Sequence, residues 1–164
     1  MKKIYIVRHA KAQKNGFESD FDRDLNSKGK EDIQTMFSRL QKYDLKPDFF
    51  LASPALRTAK TAKKFALLYG FDEDKISFDQ RLYEISALEL FEILKSLDDT
   101  INELFIVGHN PCMLELCELL SEICLQSFPT CSVLGLELNI TSFKELQTHN
   151  AKLLFFENLK EKRS

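Results

Sequence analysis

Arg8 and His9 follow directly on a short apolar run, Ile4-Tyr5-Ile6-Val7. The pattern returns far along the chain, where Leu104-Phe105-Ile106-Val107 runs into Gly108-His109-Asn110-Pro111. Between them, Phe49-Phe50-Leu51-Ala52 runs into Ser53-Pro54-Ala55-Leu56-Arg57-Thr58. Histidine is the side chain that serves as nucleophile, acid or base near neutral pH. Guanidinium offers a fork of donors that matches the oxygens of a tetrahedral anion. Two histidines and two arginines, each just after an apolar run, therefore suggest one site for a phosphate.

For these residues to meet, the apolar runs must be strands of one sheet. Each is short, rich in β-branched or aromatic residues and bounded by polar residues, as a buried strand requires. In open α/β sheets ligands bind at the carboxyl edge of the strands, where Arg8, His9, Arg57 and His109 would stand. A charged loop, 11–25, follows His9. A helix should come next, capped by Asn26, with Ile33, Met36, Phe37 and Leu40 on its apolar face and a mild cost at Gly29. Ser53 as cap and Pro54 at the first position should open a second helix, with Ala55, Ala59, Ala62, Ala66 and Tyr69 inward and Gly70 as its stop. Ile76–Phe78 reads as a short strand. Leu88, Phe91, Leu94 and Leu97 read as one helix face. Asn110 as cap and Pro111 should open a helix bearing Leu114, Cys117 and Leu120. Val133–Ile140 and Leu153–Phe156 read as final strands, close enough to pair as a hairpin. Strands alternating with helices predict a three-layer α/β/α sandwich with a largely parallel, mixed central sheet.

The 164 residues suit a single domain, 1–164, with 44% hydrophobic residues for its core. A net charge of -2, no Trp and no interleaving of basic with aromatic residues argue against a nucleic-acid partner. No stretch approaches the ~18 apolar residues of a membrane span, and no leader pattern precedes Arg8. A cytoplasmic address without membrane attachment is expected. Cys112, Cys117, Cys124 and Cys131 are separated by four, six and six residues, which is not paired zinc-ligand spacing. Reduced thiols are expected, as a cytoplasmic address permits.

The motifs Arg8-His9-Ala10, Ser53-Pro54-Ala55-Leu56-Arg57-Thr58-Ala59-Lys60-Thr61 and Gly108-His109 resemble the histidine phosphatase superfamily, whose fold is phosphoglycerate mutase-like. Within it, Val7-Arg8-His9-Ala10-Lys11-Ala12, Asp22-Arg23-Asp24-Leu25-Asn26-Ser27-Lys28-Gly29, Leu82-Tyr83-Glu84 and Val107-Gly108-His109-Asn110-Pro111 are similar to SixA-like phosphohistidine phosphatases. Asn110 after His109 separates the chain from the branch with His-Asp or His-Glu at this motif.

The resemblance implies His9 as the nucleophile that takes the phosphoryl group, and Arg8, Arg57 and His109 as its oxygen ligands. It implies hydrolysis of phospho-His9 by water, with no metal and no other cofactor. It also implies that Glu84, in an L-x-E context, is a candidate general acid. Two nearby guanidinium groups should keep His9 neutral, and its other ring nitrogen should bond a backbone carbonyl. Short connections leave little chain for a lid beyond the 11–25 flap, where Lys11 and Arg23 are candidate substrate contacts. An open pocket favours a phosphoryl group on a protein, so a phosphohistidine protein is the expected partner. A small-molecule phosphomonoesterase on the same fold and a non-catalytic phosphate-binding module are the alternatives.

Overall fold

The computed structural model describes residues 1–160. Its centre is a six-stranded sheet built from β1 (Lys2–Arg8), β2 (Phe49–Ala52), β3 (Ser77–Phe78), β4 (Glu103–Gly108), β5 (Val133–Leu138) and β6 (Lys152–Glu157), in the order β3-β2-β4-β1-β5-β6. β3, β2, β4 and β1 are parallel, β5 is antiparallel to β1, and β6 is antiparallel to β5. The sheet is therefore mixed, with the expected hairpin at one side.

The apolar runs are continuous because both faces of the sheet are covered. Along β1, Ile4 and Ile6 pack on one face, with Leu90, Leu94, Met113 and Leu116. Tyr5 and Val7 pack on the other, with Ile33, Met36, Phe65 and Ala66. The first group of partners comes from α3 (Ala87–Lys95) and α4 (Cys112–Leu120), the second from α1 (Ser27–Leu40) and α2 (Leu56–Leu68). Two layers of helix thus enclose one layer of sheet. Among the described residues no helix is long and apolar enough to cross a membrane.

Of the three expected helix caps, one holds and two need correction. Asn26 does cap α1, accepting from Gly29 N–H at 2.7 Å. Ser53 does not cap α2; the cap position is Ala55, without a side-chain bond. Asn110 does not cap α4 either: Pro111 holds that position, after a cis Asn110–Pro111 bond. Asn110 instead donates to the Phe128 carbonyl at 2.9 Å. In α3 the buried face is Ala87, Leu90, Phe91 and Leu94, while Leu88 is 65% exposed. Gly29 is more than a mild cost, because a Cβ there would collide with the Lys11 backbone carbonyl. The glycine lets the segment after His9 lie against the start of α1.

Candidate active site

Strand register brings the histidines together. β1 and β4 pair Arg8 with Gly108, so His9 and His109 follow at neighbouring strand exits. His9 N–H donates to the Gly108 carbonyl at 3.1 Å, and the two imidazole centroids lie 5.5 Å apart. On the other side of β4, Ala52 pairs with Val107. Ser53 is therefore delivered beside Gly108, and its N–H donates to the Val107 carbonyl at 3.3 Å.

Each ring is fixed through a different nitrogen. His9 Nδ1 lies 2.8 Å from the Ala10 carbonyl. A carbonyl only accepts, so Nδ1 carries the proton and Nε2 keeps its lone pair. Burial, followed by the field of His109, Arg57 and Arg8, lowers the His9 pKa to about 3, although the Ala10 bond opposes the shift. His109 Nε2 lies 2.8 Å from Ser53 Oγ. That hydroxyl is fully buried and also accepts from Ala55 N–H at 3.3 Å. Burial, then Arg57, lowers the His109 pKa to about 4, with Asp20 opposing. Both imidazoles are neutral at pH 7.

The arginines are held just as firmly. Arg57 lies in the first turn of α2 and is 6% exposed. Its Nη1 donates to the Asp20 carbonyl at 2.7 Å and its Nη2 to Asp20 Oδ2 at 3.1 Å. Arg8 Nη1 donates to the Phe128 carbonyl at 3.2 Å. Burial, then repulsion by Arg57, lowers the Arg8 pKa. Arg8 Nε, Arg57 Nε and His109 Nδ1 are all buried with no protein acceptor. A buried polar atom without a partner is costly, and all three belong to residues that line one cavity.

The threonines of the second motif hold the scaffold. Thr61 Oγ1 accepts from Ala10 N–H at 3.1 Å and donates to the Arg57 carbonyl at 2.7 Å. It thereby ties the turn after His9 to the helix that carries Arg57. Thr58 Oγ1 bonds the Ser53 and Ala55 carbonyls, both at 2.8 Å, closing the turn into α2.

Arg8, His9, Arg57 and His109 line one cavity of about 630 Å³, together with Lys11 and Arg23. Glu84 does not line it. This residue is exposed and borders a separate surface cleft with Ile85, Glu89 and Ile93. Its neighbour Tyr83 reaches the site instead. The Tyr83 ring meets His109 edge-on at 5.6 Å, and its hydroxyl donates to Asp20 Oδ2 at 2.7 Å.

Sequence reasoning missed Ser53 as a partner of His109, and it missed Asp20 and Tyr83 altogether. Asp20 sits in the flap, which is pinned by an Ala12–Leu25 bridge and by Lys60 on Asp24 at 2.7 Å. The Tyr83 bond, then those from Arg57 and Arg23, lowers the Asp20 pKa to about 2. Among the described residues, no group of three or more His, Cys, Asp and Glu side chains is placed to hold a metal ion. Cys112, Cys117 and Cys131 are buried free thiols and Cys124 is exposed.

Comparison with known proteins bears on the fold and the family. No curated protein matches the chain. Among solved structures, a protein assigned as phosphohistidine phosphatase SixA from Agrobacterium tumefaciens superposes with a TM-score of 0.78 at 23% identity, over 96% of this chain and 98% of that one. The protein histidine phosphatase SixA complexed with tungstate gives 0.80 at 17% identity, over 94% and 95%. A mycobacterial glucosyl-3-phosphoglycerate phosphatase gives 0.66 at 15% identity, over 93% and 98%. These likenesses establish the phosphoglycerate mutase-like fold. The family model of the histidine phosphatase superfamily (branch 1) matches residues 4–98, over half of the sequence, and the chain belongs to that superfamily.

Proposed function

We propose that the chain is a metal-independent protein phosphohistidine phosphatase with His9 as its nucleophile. The observation that carries the reading is the His9 ring: neutral, with Nδ1 donating to the Ala10 carbonyl and Nε2 left as a lone pair. Nearby are two guanidinium groups and a second neutral imidazole.

In the first step, the Nε2 lone pair forms a bond to phosphorus as the P–N bond to the substrate imidazole breaks. The bonding pair leaves on that nitrogen, which takes a proton from solvent. Positive charge grows on the His9 ring and is met by the Ala10 carbonyl. In the second step, water forms a P–O bond, the P–Nε2 bond breaks, and its electron pair returns to Nε2. Inorganic phosphate leaves, and the water proton passes to solvent.

Arg8 and Arg57 meet the negative charge of the phosphoryl oxygens. Phosphoryl transfer depends chiefly on such positioning and neutralisation. Ser53 accepts from Ala55 N–H and donates its hydroxyl proton to His109 Nε2. His109 then carries its proton on Nδ1, where it serves a phosphoryl oxygen. Asp20 and Tyr83 hold Arg57 and the His109 ring in place.

A phosphohistidine asks little of a general acid, since imidazole leaves more readily than an alkoxide. This fits a site whose one candidate acid, Glu84, is exposed outside the cavity.

A substrate panel run with a strong chelator present tests the reading. Phosphohistidine protein should be turned over well ahead of alkyl phosphomonoesters. Glu84→Gln should leave phosphohistidine hydrolysis within about twofold, whatever it does to the alkyl ester. An alkyl phosphate hydrolysed far faster than phosphohistidine would make the chain a small-molecule phosphomonoesterase. Loss of all turnover on chelation would end the metal-independent mechanism.

A further inference from the structure

The cavity is much larger than a phosphoryl group, and its outer wall is basic. Beyond Arg8 and Arg57 it is lined by Lys11, Lys14, Arg23, Lys28 and Lys160, with no carboxylate among the lining residues. The chain as a whole carries a net charge of -2, so this wall is a local concentration and not a consequence of composition. None of the flap's four carboxylates, Glu18, Asp20, Asp22 and Asp24, is among the lining residues; Asp20 pairs with Arg57 and Arg23, Asp24 with Lys60, and Asp22 accepts from Ser19.

Three of the wall cations have no ion pair among the described residues: Lys11, Lys14 and Lys160. Lys28 pairs with Asp32 at 3.2 Å and Arg23 with Asp20 at 3.3 Å, which leaves the three lysines as the free charge. All three are exposed and come from two parts of the chain, the segment after β1 and the segment after β6. Arg57 is buried and Arg8 half-buried, whereas the three lysines are exposed. Three separate exposed charges suit the several carboxylates of a segment better than a second compact anion.

We propose that the substrate is an acidic protein segment, in which Asp or Glu residues flank the phosphorylated histidine and meet Lys11, Lys14 and Lys160. The proposal rests on the phosphatase reading and specifies its substrate. The inner cations hold the group that is transferred, while the rim selects what carries it. Contacts of this kind act mainly on association and are screened by salt.

The test compares kcat/KM for three substrates: a phosphohistidine peptide flanked by Asp and Glu, the same peptide flanked by Asn and Gln, and para-nitrophenyl phosphate. At low ionic strength the acidic peptide should lead the neutral one by roughly three- to tenfold, as two or three exposed ion pairs allow. The lead should disappear in 1 M salt. In a Lys14→Glu/Lys160→Glu variant it should disappear or reverse. The kcat for para-nitrophenyl phosphate should stay within about twofold in that variant, which shows that it folds and that the inner site is intact.

Equal rates on the two peptides in the unmodified protein would overturn the proposal and leave the phosphatase reading standing. So would a preference that survives the charge reversal. Failure to turn over any of the substrates would remove the phosphatase reading, and this proposal with it.

Discussion

β1 and β4 are adjacent parallel strands, and each ends in a histidine, yet the two ends are built differently. His9 is fixed through Nδ1 by the carbonyl of the next residue, a bond made within its own turn. His109 is fixed through Nε2 by Ser53, which arrives from β2. The nitrogen left over is Nε2 in one ring and Nδ1 in the other. The difference sorts two chemically identical side chains into two roles. A backbone carbonyl can only accept, so it forces a lone pair onto the far nitrogen of His9. A hydroxyl can donate, so it can leave an N–H on the far nitrogen of His109. Burial holds both rings neutral, which keeps the lone pair on one and a single N–H on the other.

The first way to break this comparison is to remove the donor ring. His109→Ala should lower kcat for phosphohistidine hydrolysis by about 10²- to 10³-fold, the usual effect of losing one charge-stabilising donor. The phosphoenzyme should still form, slowly. Unchanged kcat would place His109 outside the reaction.

Ser53→Ala should act more mildly, at about tenfold in kcat, because the ring remains but its tautomer is no longer set. A change in the pH profile should accompany the loss, because only the neutral ring depends on that bond to keep its N–H on Nδ1, whereas the cation carries an N–H on both nitrogens. A uniform drop in folded protein with an unaltered profile would mean that Ser53 only fills space.

The smallest effect concerns stability. His9 and His109 titrate near 3 and 4 in the folded chain, against about 6.5 when unfolded. Unfolding therefore takes up protons in the window between, and stability falls as pH drops from about 6.5 towards 4. Above 6.5 neither ring contributes. Each ring can add at most roughly 1.4 kcal/mol per pH unit to the slope. A His9→Asn/His109→Asn variant should lose less stability than the unmodified chain in denaturant titrations between pH 7 and 4.5. Parallel slopes would mean that the two rings are not buried neutral.

The legible part of this site is the part written into consecutive residues. Arg8, His9 and His109 stand directly after runs whose two faces are both buried, and Arg57 stands one helical turn past another. The mixed sheet was readable for the same reason, since a strand covered on both sides carries an unbroken apolar run. Ser53 was misread because Ser-Pro before a helix is also a capping pattern. Its actual partner comes from β4, and only the pairing of Ala52 with Val107 brings the two together. Asp20 lies in a loop of many charges, with nothing in its spacing to mark it as the partner of Arg57. Gly29 was weighed by helix propensity alone, whereas the approach of the Lys11 backbone decides it. In each case the missing information is a contact between segments far apart in sequence.

The central claim is that His9 accepts the phosphoryl group on Nε2. Rapid quenching during turnover of a labelled phosphohistidine substrate tests it most directly. The account predicts an acid-labile, base-stable label that maps to His9 and is absent from His9→Ala, which should retain vanadate binding while losing at least about 10⁴-fold in turnover. A label on a cysteine or serine, or a His9→Ala protein with normal turnover, would contradict it.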